Sequence, residues 1–69
     1  MIITSLNVSK DGLFLYGAGW DNTLFIWDLN EFTLKESIPL PGCANSIAVS
    51  DDGAVFVGGS NGFLVKLQM

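Results

Sequence analysis

The residues of this chain that are best suited to chemistry are carboxylates beside glycines. Asp11 precedes Gly12, and the pair Asp51-Asp52 precedes Gly53. Neighbouring carboxylates are the groups that bind divalent cations or act as a general acid and base. Aspartate before glycine is also typical of tight turns, in which the carboxylate accepts hydrogen bonds from its own backbone. We predict that these aspartates shape turns and that none of them binds a metal ion.

Other side chains that support catalysis are scarce. The sequence has no histidine and a single cysteine, Cys43, so a serine nucleophile would lack its usual base and no intrachain disulfide can form. Cys43 has no activating base near it in the sequence and is expected to pack in a loop. The glycine-rich segments 17–19 and 58–62 open no helix, so they lack the geometry of a phosphate-binding loop. We predict that the chain is not an enzyme and binds no cofactor.

The composition is apolar for so short a chain. Of 69 residues, 49% are hydrophobic and 14% are charged, although a domain of this size buries only about 60% of its unfolded surface. This imbalance favours association with further protein. The net charge of −4 without arginine argues against binding to nucleic acid or anionic membranes. No apolar run approaches a membrane helix of roughly 20 residues and no signal peptide is evident, so we expect a cytoplasmic protein.

Residues 20–29, Trp-Asp-Asn-Thr-Leu-Phe-Ile-Trp-Asp-Leu, give the clearest structural signal. The turn pair Asp21-Asn22 is followed by the uninterrupted apolar run 24–27, which Asp28 closes. A run this short indicates a strand, and because its side chains alternate between two faces, both faces need cover. The small residues 17–19 indicate the close approach of a backbone or of a large ring.

Short apolar runs and turn residues alternate along the whole chain. They predict strands 3–9, 13–19, 23–28, 33–38, 45–50, 54–59 and 63–68 and no helix. Strand 33–38 is polar and is expected at an exposed sheet edge.

The second half of the chain repeats the first. Residues 46–53 match residues 5–12 at an offset of 41, and residues 55–59 match residues 14–18 at the same offset. We place a one-residue deletion after them, because residues 61–67 match residues 21–27 at an offset of 40. A period of about 40 to 45 residues that holds four strands is typical of a propeller blade.

These motifs resemble the WD-repeat β-propeller family. The resemblance is carried by Val-Ser-Lys-Asp-Gly at 8–12, by Asp-Asn-Thr at 21–23 and by Ile-Trp-Asp-Leu at 26–29. It covers nearly the whole chain but is looser in the second repeat, where Asn61, Leu67 and Gln68 replace the turn aspartate, the tryptophan and the last aspartate. The repeat signature is assigned to Asp11, Gly12, Asp21, Thr23, Trp27, Asp28, Asp52 and Gly53.

The resemblance implies an all-β fold of two four-stranded antiparallel propeller blades, residues 1–41 and 42–69, of which the second lacks its outermost strand. Two blades do not close a ring of roughly four to eight. The chain is therefore expected to be a sector of a longer propeller or a fragment that assembles head to tail, in three or four copies. The family often has a buried network of a histidine, a serine or threonine, the turn aspartate and the strand tryptophan. Only Asp21 and Trp27 match it, Gly17 replaces the serine, and Trp27 is expected to pack between blades.

Two functions from different classes follow. The first is a non-catalytic protein-interaction scaffold, whose protein partner binds the rim or the open strand edge 63–68. Trp20, beside the turn aspartate, is the candidate anchor on the rim, unless its ring folds over Gly17 or Gly19. The second is a sector of a lactonase-like propeller hydrolase, because residues 38–53 also resemble bacterial propellers that carry a Tyr-Val-Thr-Asn signature. Asn7 and Asn45 would then face an axial metal. We favour the scaffold because no residue here activates a nucleophile.

Overall fold

The computed structural model describes residues 3–68, which form seven strands and a single turn of 3₁₀ helix. The 3₁₀ turn, Ser60–Gly62, connects the last two strands. Each strand bound lies within one residue of the bound expected from the sequence. The strands are β1 (Ile3–Val8), β2 (Phe14–Gly19), β3 (Thr23–Asp28), β4 (Thr33–Pro39), β5 (Ala44–Val49), β6 (Ala54–Gly59) and β7 (Leu64–Gln68).

The strands form two antiparallel sheets, each with its strands in chain order. Blade one has the order β1-β2-β3-β4, and blade two has the order β5-β6-β7. The predicted all-β architecture of a four-stranded blade and a blade without its fourth strand is confirmed. Both sheets have a β-bulge in their first ladder, at Thr4 between Ile3 and Ser5 and at Asn45 between Ala44 and Ser46.

The two blades pack face to face through one apolar cluster. Strands β1 and β2 approach β5 closely, so the blades are nearest at their inner strands. Leu24 and Ile26 on β3 are fully buried in this internal interface, whereas the alternate residues Phe25 and Trp27 lie on the opposite face and are half-buried. The buried members of the cluster are Tyr16, Ala18, Leu24, Ile26, Leu40, Ala44, Ile47, Val55 and Val57.

The strand ladders correct the expected alignment of the two repeats. Val8 pairs with Leu15 in blade one, and Val49 pairs with Val55 in blade two. Val49 follows Val8 by 41 residues, but Val55 follows Leu15 by only 40. The deletion therefore lies in the turn between β5 and β6, and its predicted place after β6 was wrong. Since a shift of one residue moves every side chain to the other face, β6 matches β2 at an offset of 40 throughout.

Candidate functional site

The turn between β1 and β2 is built on a serine–aspartate pair. The Ser9 hydroxyl donates to Asp11 Oδ1 at 2.6 Å, and the Leu13 N–H donates to the same oxygen at 3.0 Å. Gly12 follows with φ +77°, a conformation that glycine adopts without strain. Hydrogen bonds to a charged carboxylate favour its charged form. The bond from Ser9, followed by the bond from Leu13, therefore lowers the pKa of Asp11 below its ordinary value.

The turn between β5 and β6 repeats this arrangement. The Ser50 hydroxyl donates to Asp52 Oδ1, the Ala54 N–H donates to the same oxygen at 3.2 Å, and Gly53 has φ +89°. The hydrogen bond from Ser50 is again the main cause that lowers the pKa of Asp52. The aspartates were predicted to shape turns, but no role was predicted for the serines that precede them. The repeated Ser-x-Asp-Gly spacing was the signal that carried this information.

The two serine–aspartate turns lie on either side of a groove between the blades. The groove has a volume of about 380 Å³. Lys10 Nζ and Asp51 Oδ1 are 2.7 Å apart across it, and both side chains are well exposed, so the ion pair contributes about 1 kcal/mol or less. Tyr16 also lines the groove, and burial, with a smaller effect of the Asp11 charge, raises its pKa. Among residues 3–68, no group of three or more His, Cys, Asp or Glu side chains is arranged to hold a metal ion.

The turn between β2 and β3 presents Trp20 at one rim of the blades. The Trp20 side chain is 63% exposed, and the Cys43 thiol lies 3.9 Å from the Trp20 main-chain oxygen. Asp21 is also exposed, and the Thr23 hydroxyl donates to its main-chain carbonyl at 3.0 Å. The indole of Trp20 is therefore accessible to a partner.

The outward face of blade one, opposite the internal interface, is a second apolar surface. Its Trp27 ring lies over Gly17, where a Cβ would be 2.7 Å from Trp27 Cζ3 and 3.0 Å from Leu6 Cδ2. Of the two expected approaches to the small residues 17–19, a backbone or a large ring, Gly17 meets a ring, and this ring is Trp27 and not Trp20. The Phe25 and Trp27 rings lie 5.8 Å apart. The residues of this outward face are Leu6, Val8, Leu15, Gly17, Phe25, Trp27 and Leu34.

Trp27 does not belong to the cluster between the two blades of this chain. Its predicted packing between blades therefore stays a prediction, and it requires a further blade against the outward face of blade one. Both faces of β3 are apolar, so alternation alone did not tell which of them meets blade two. The neighbouring Asp28 shapes the next turn, where its Oδ1 accepts hydrogen bonds from the N–H groups of Asn30 at 2.8 Å and Glu31 at 3.2 Å.

Side chains of the innermost strand connect the two blades directly. The Thr4 hydroxyl donates to the Ala44 carbonyl at 2.7 Å, and Asn7 Nδ2 donates to the Ile47 carbonyl at 3.2 Å. Asn45, the other residue considered as an axial metal ligand, is exposed. The amide N–H of Asn7 is thus used in holding β1 against β5.

Comparison with known protein families agrees with this architecture. Residues 1–28 match the WD40 family model, described as WD domain, G-beta repeat. No solved structure matches the chain significantly, and no helix within residues 3–68 is long and apolar enough to cross a membrane. Repeats of this family generally mediate protein–protein interactions. The matched segment contains β1, β2 and β3 and ends at Asp28. Residues 1–28 of this chain, which include the first three strands of blade one, therefore match a WD repeat.

Proposed function

We propose that this chain is a non-catalytic protein-interaction scaffold, a two-blade propeller unit that completes a ring with further blades or by oligomerisation. The observation that carries this proposal is the outward face of blade one. Leu6 is 59% exposed there, beside the half-buried rings of Phe25 and Trp27. Contiguous exposed apolar surfaces of this kind are typical of protein interaction sites.

Completion by oligomerisation restricts the number of blades. Identical two-blade units joined head to tail give even blade numbers only, so three copies make six blades and four copies make eight. We also propose a cytoplasmic location, with which the single, unpaired cysteine agrees.

Two features would hold a protein partner once the ring is complete. Trp20 projects from the rim as a large exposed aromatic side chain, the residue type that most often anchors protein interfaces. Strand β7 pairs with β6 on one side only, whereas the corresponding strand β3 of blade one also pairs with β4. The open edge of β7 therefore offers backbone N–H and C=O groups to an added strand.

Native mass spectrometry of the 69-residue chain tests the proposal. We expect species of three or four copies, and we expect Trp20→Ala to leave the number of copies unchanged because the rim lies outside the blade faces. A folded monomer over the whole concentration range would exclude completion by oligomerisation.

The hydrolase alternative receives no comparable support. It requires Asn7 and Asn45 to bind an axial metal through their amide oxygens, whereas the hydrogen bond that Asn7 makes to the Ile47 carbonyl uses its amide nitrogen. No contact among residues 3–68 favours this alternative over the scaffold.

A further inference from the structure

We propose that the outward face of blade one is covered by the outward face of blade two from a second copy of this chain. The inference rests on the proposed ring and names the occupant of its open face. The outward face of blade two, opposite the internal interface, consists of Ser46, Ala48, Phe56, Gly58, Leu64 and Lys66.

The ladders show that each open face repeats one half of the internal interface. With the corrected alignment, Leu64 is the counterpart of Leu24, which is fully buried against blade two, yet Leu64 is 72% exposed. In the same way Leu6 is the counterpart of Ile47, and their exposures are 59% and 7%. Suppose that a second copy follows blade two in the same way that blade two follows blade one. The face of the first copy that contains Leu64 then packs on the face of the second copy that contains Leu6.

The residues that differ between the two junctions are complementary to each other. Lys66 is the counterpart of Ile26, which lies in a cluster packed against Val65 and Leu67. The counterparts of Val65 and Leu67 in blade one are Phe25 and Trp27. At the internal junction Ile26 faces aliphatic side chains. At the junction between copies Lys66 takes the place of Ile26, and the aromatic rings of Phe25 and Trp27 take the place of the aliphatic side chains. Lys66 already lies 5.8 Å above the Phe56 ring, and an ammonium group over an aromatic face is attractive.

The turn charges are complementary in the same way. Lys10 and Asp51 are counterparts in the two repeats and form an ion pair across the internal junction. At the junction between copies, Asp51 of one copy takes the place of Lys10 and meets Lys10 of the next. Opposite charges then face each other at every junction around the ring.

The inner strands add a third match. Asn45 occupies the bulge position of Thr4, whose hydroxyl donates to Ala44 at the internal junction. The amide of Asn45 can donate in the same way to the main-chain carbonyl of Ile3, the counterpart of Ala44. The two open faces of the chain are therefore complementary to each other at three separate positions. This complementarity favours a second copy over an unrelated partner.

Two substitutions separate the faces experimentally. Leu64→Lys damages only the outward face of blade two, and Leu6→Lys damages only the outward face of blade one. Both side chains are exposed in the single copy, so both variants are expected to fold, which circular dichroism checks. Each variant alone should associate at least about tenfold more weakly, because a leucine side chain no longer becomes buried. Phe32→Lys is the matched control, since it adds the same charge at an exposed apolar residue of the turn between β3 and β4.

Mixing the two variants gives the decisive measurement. One copy then offers an intact blade-two face and the other an intact blade-one face, so native mass spectrometry should show a pair containing one of each and nothing larger. If Leu64→Lys does not fold, Lys66→Glu tests the same face.

Other outcomes overturn the proposal in distinguishable ways. If the wild-type chain assembles and both variants assemble equally well, the assigned faces are refuted, although ring formation itself is not. Loss of assembly in Leu6→Lys alone would indicate two blade-one faces packed against each other. Loss of assembly in Phe32→Lys as well would show a general effect of charge and would refute the assigned faces. A folded wild-type monomer would refute both this inference and completion of the ring by oligomerisation.

Discussion

Replacing Gly59 with alanine is expected to destabilise the chain severely, for a purely steric reason. Gly59 has φ −158°, an ordinary extended conformation that alanine also adopts. A Cβ at this position would, however, lie well within 3.0 Å of the Cys43 carbonyl oxygen and of the Phe63 ring. One of the two groups must move.

The magnitude follows from what those neighbours do. Inserting a methyl group into a packed site costs about 1 to 3 kcal/mol. The Cys43 oxygen also accepts a hydrogen bond from the Ser60 N–H at 3.1 Å, and breaking it adds about 1 kcal/mol. We therefore expect a loss of about 3 kcal/mol in the free energy of unfolding. A chain of this length has roughly 3 to 10 kcal/mol in total.

The adjacent Gly58 supplies the control. The nearest heavy atom to a Cβ at Gly58 is the Phe63 carbonyl oxygen at 3.9 Å, an ordinary contact. Its counterpart in blade one is Ala18, which already carries this methyl group. Gly58→Ala should raise the stability by about 0.4 to 1 kcal/mol, because alanine reduces the freedom of the unfolded chain.

Urea unfolding followed by circular dichroism measures both changes, at one fixed protein concentration because association contributes to stability. With a slope of about 1 kcal/mol per M urea, the midpoint of Gly59→Ala should fall by about 3 M, or the variant should be unfolded in water. A midpoint within about 0.5 M of the wild type, or an equal fall for Gly58→Ala, would refute the steric reasoning.

Two further predictions concern the turns. The folded-state pKa values of Asp11 and Asp52 lie below the ordinary value of 3.8, so their stabilising effect is complete above that pH and is lost as the pH falls through the lower folded values. NMR titration of the carboxyl carbons should give both midpoints below 3.8. Ser9→Ala should raise the midpoint of Asp11, and Ser50→Ala should raise that of Asp52. Unchanged midpoints in these variants would contradict the role of the serines. Phe32 is 85% exposed and has φ +56°, a conformation that asparagine tolerates better. Phe32→Asn should therefore raise the free energy of unfolding by about 0.5 to 1 kcal/mol in the same urea assay. A decrease would contradict this reasoning.

Local turn chemistry made the strand pattern predictable from the sequence. The Asp-Gly pairs and the Asp21-Asn22 pair each end a short apolar run, and glycine φ values of +77° and +89° occur at the two positions where Asp-Gly requires them. Such signals act over four or five residues, so a single sequence reveals them.

The register and the faces of the strands were less predictable. The small and apolar residues of segment 54–59 fit β2 at either of two offsets, and only the pairing of Val49 with Val55 decides between them. Likewise, the choice of the face of β3 that meets blade two depends on the path of the chain after β4. The hydrogen bonds of Thr4 and Asn7 to blade two join residues about 40 positions apart, and local patterns do not reveal them.

The bulge at the start of each blade has a consequence for the geometry of a ring. An extra residue in one strand increases the local twist, and in blade one this residue is Thr4, whose side chain reaches sideways to Ala44. In the proposed ring, the angle between neighbouring sheets would therefore be set at their inner strands. Inserting or removing a residue at this point would then be a way to change the number of subunits in that ring while leaving the packed surfaces as they are.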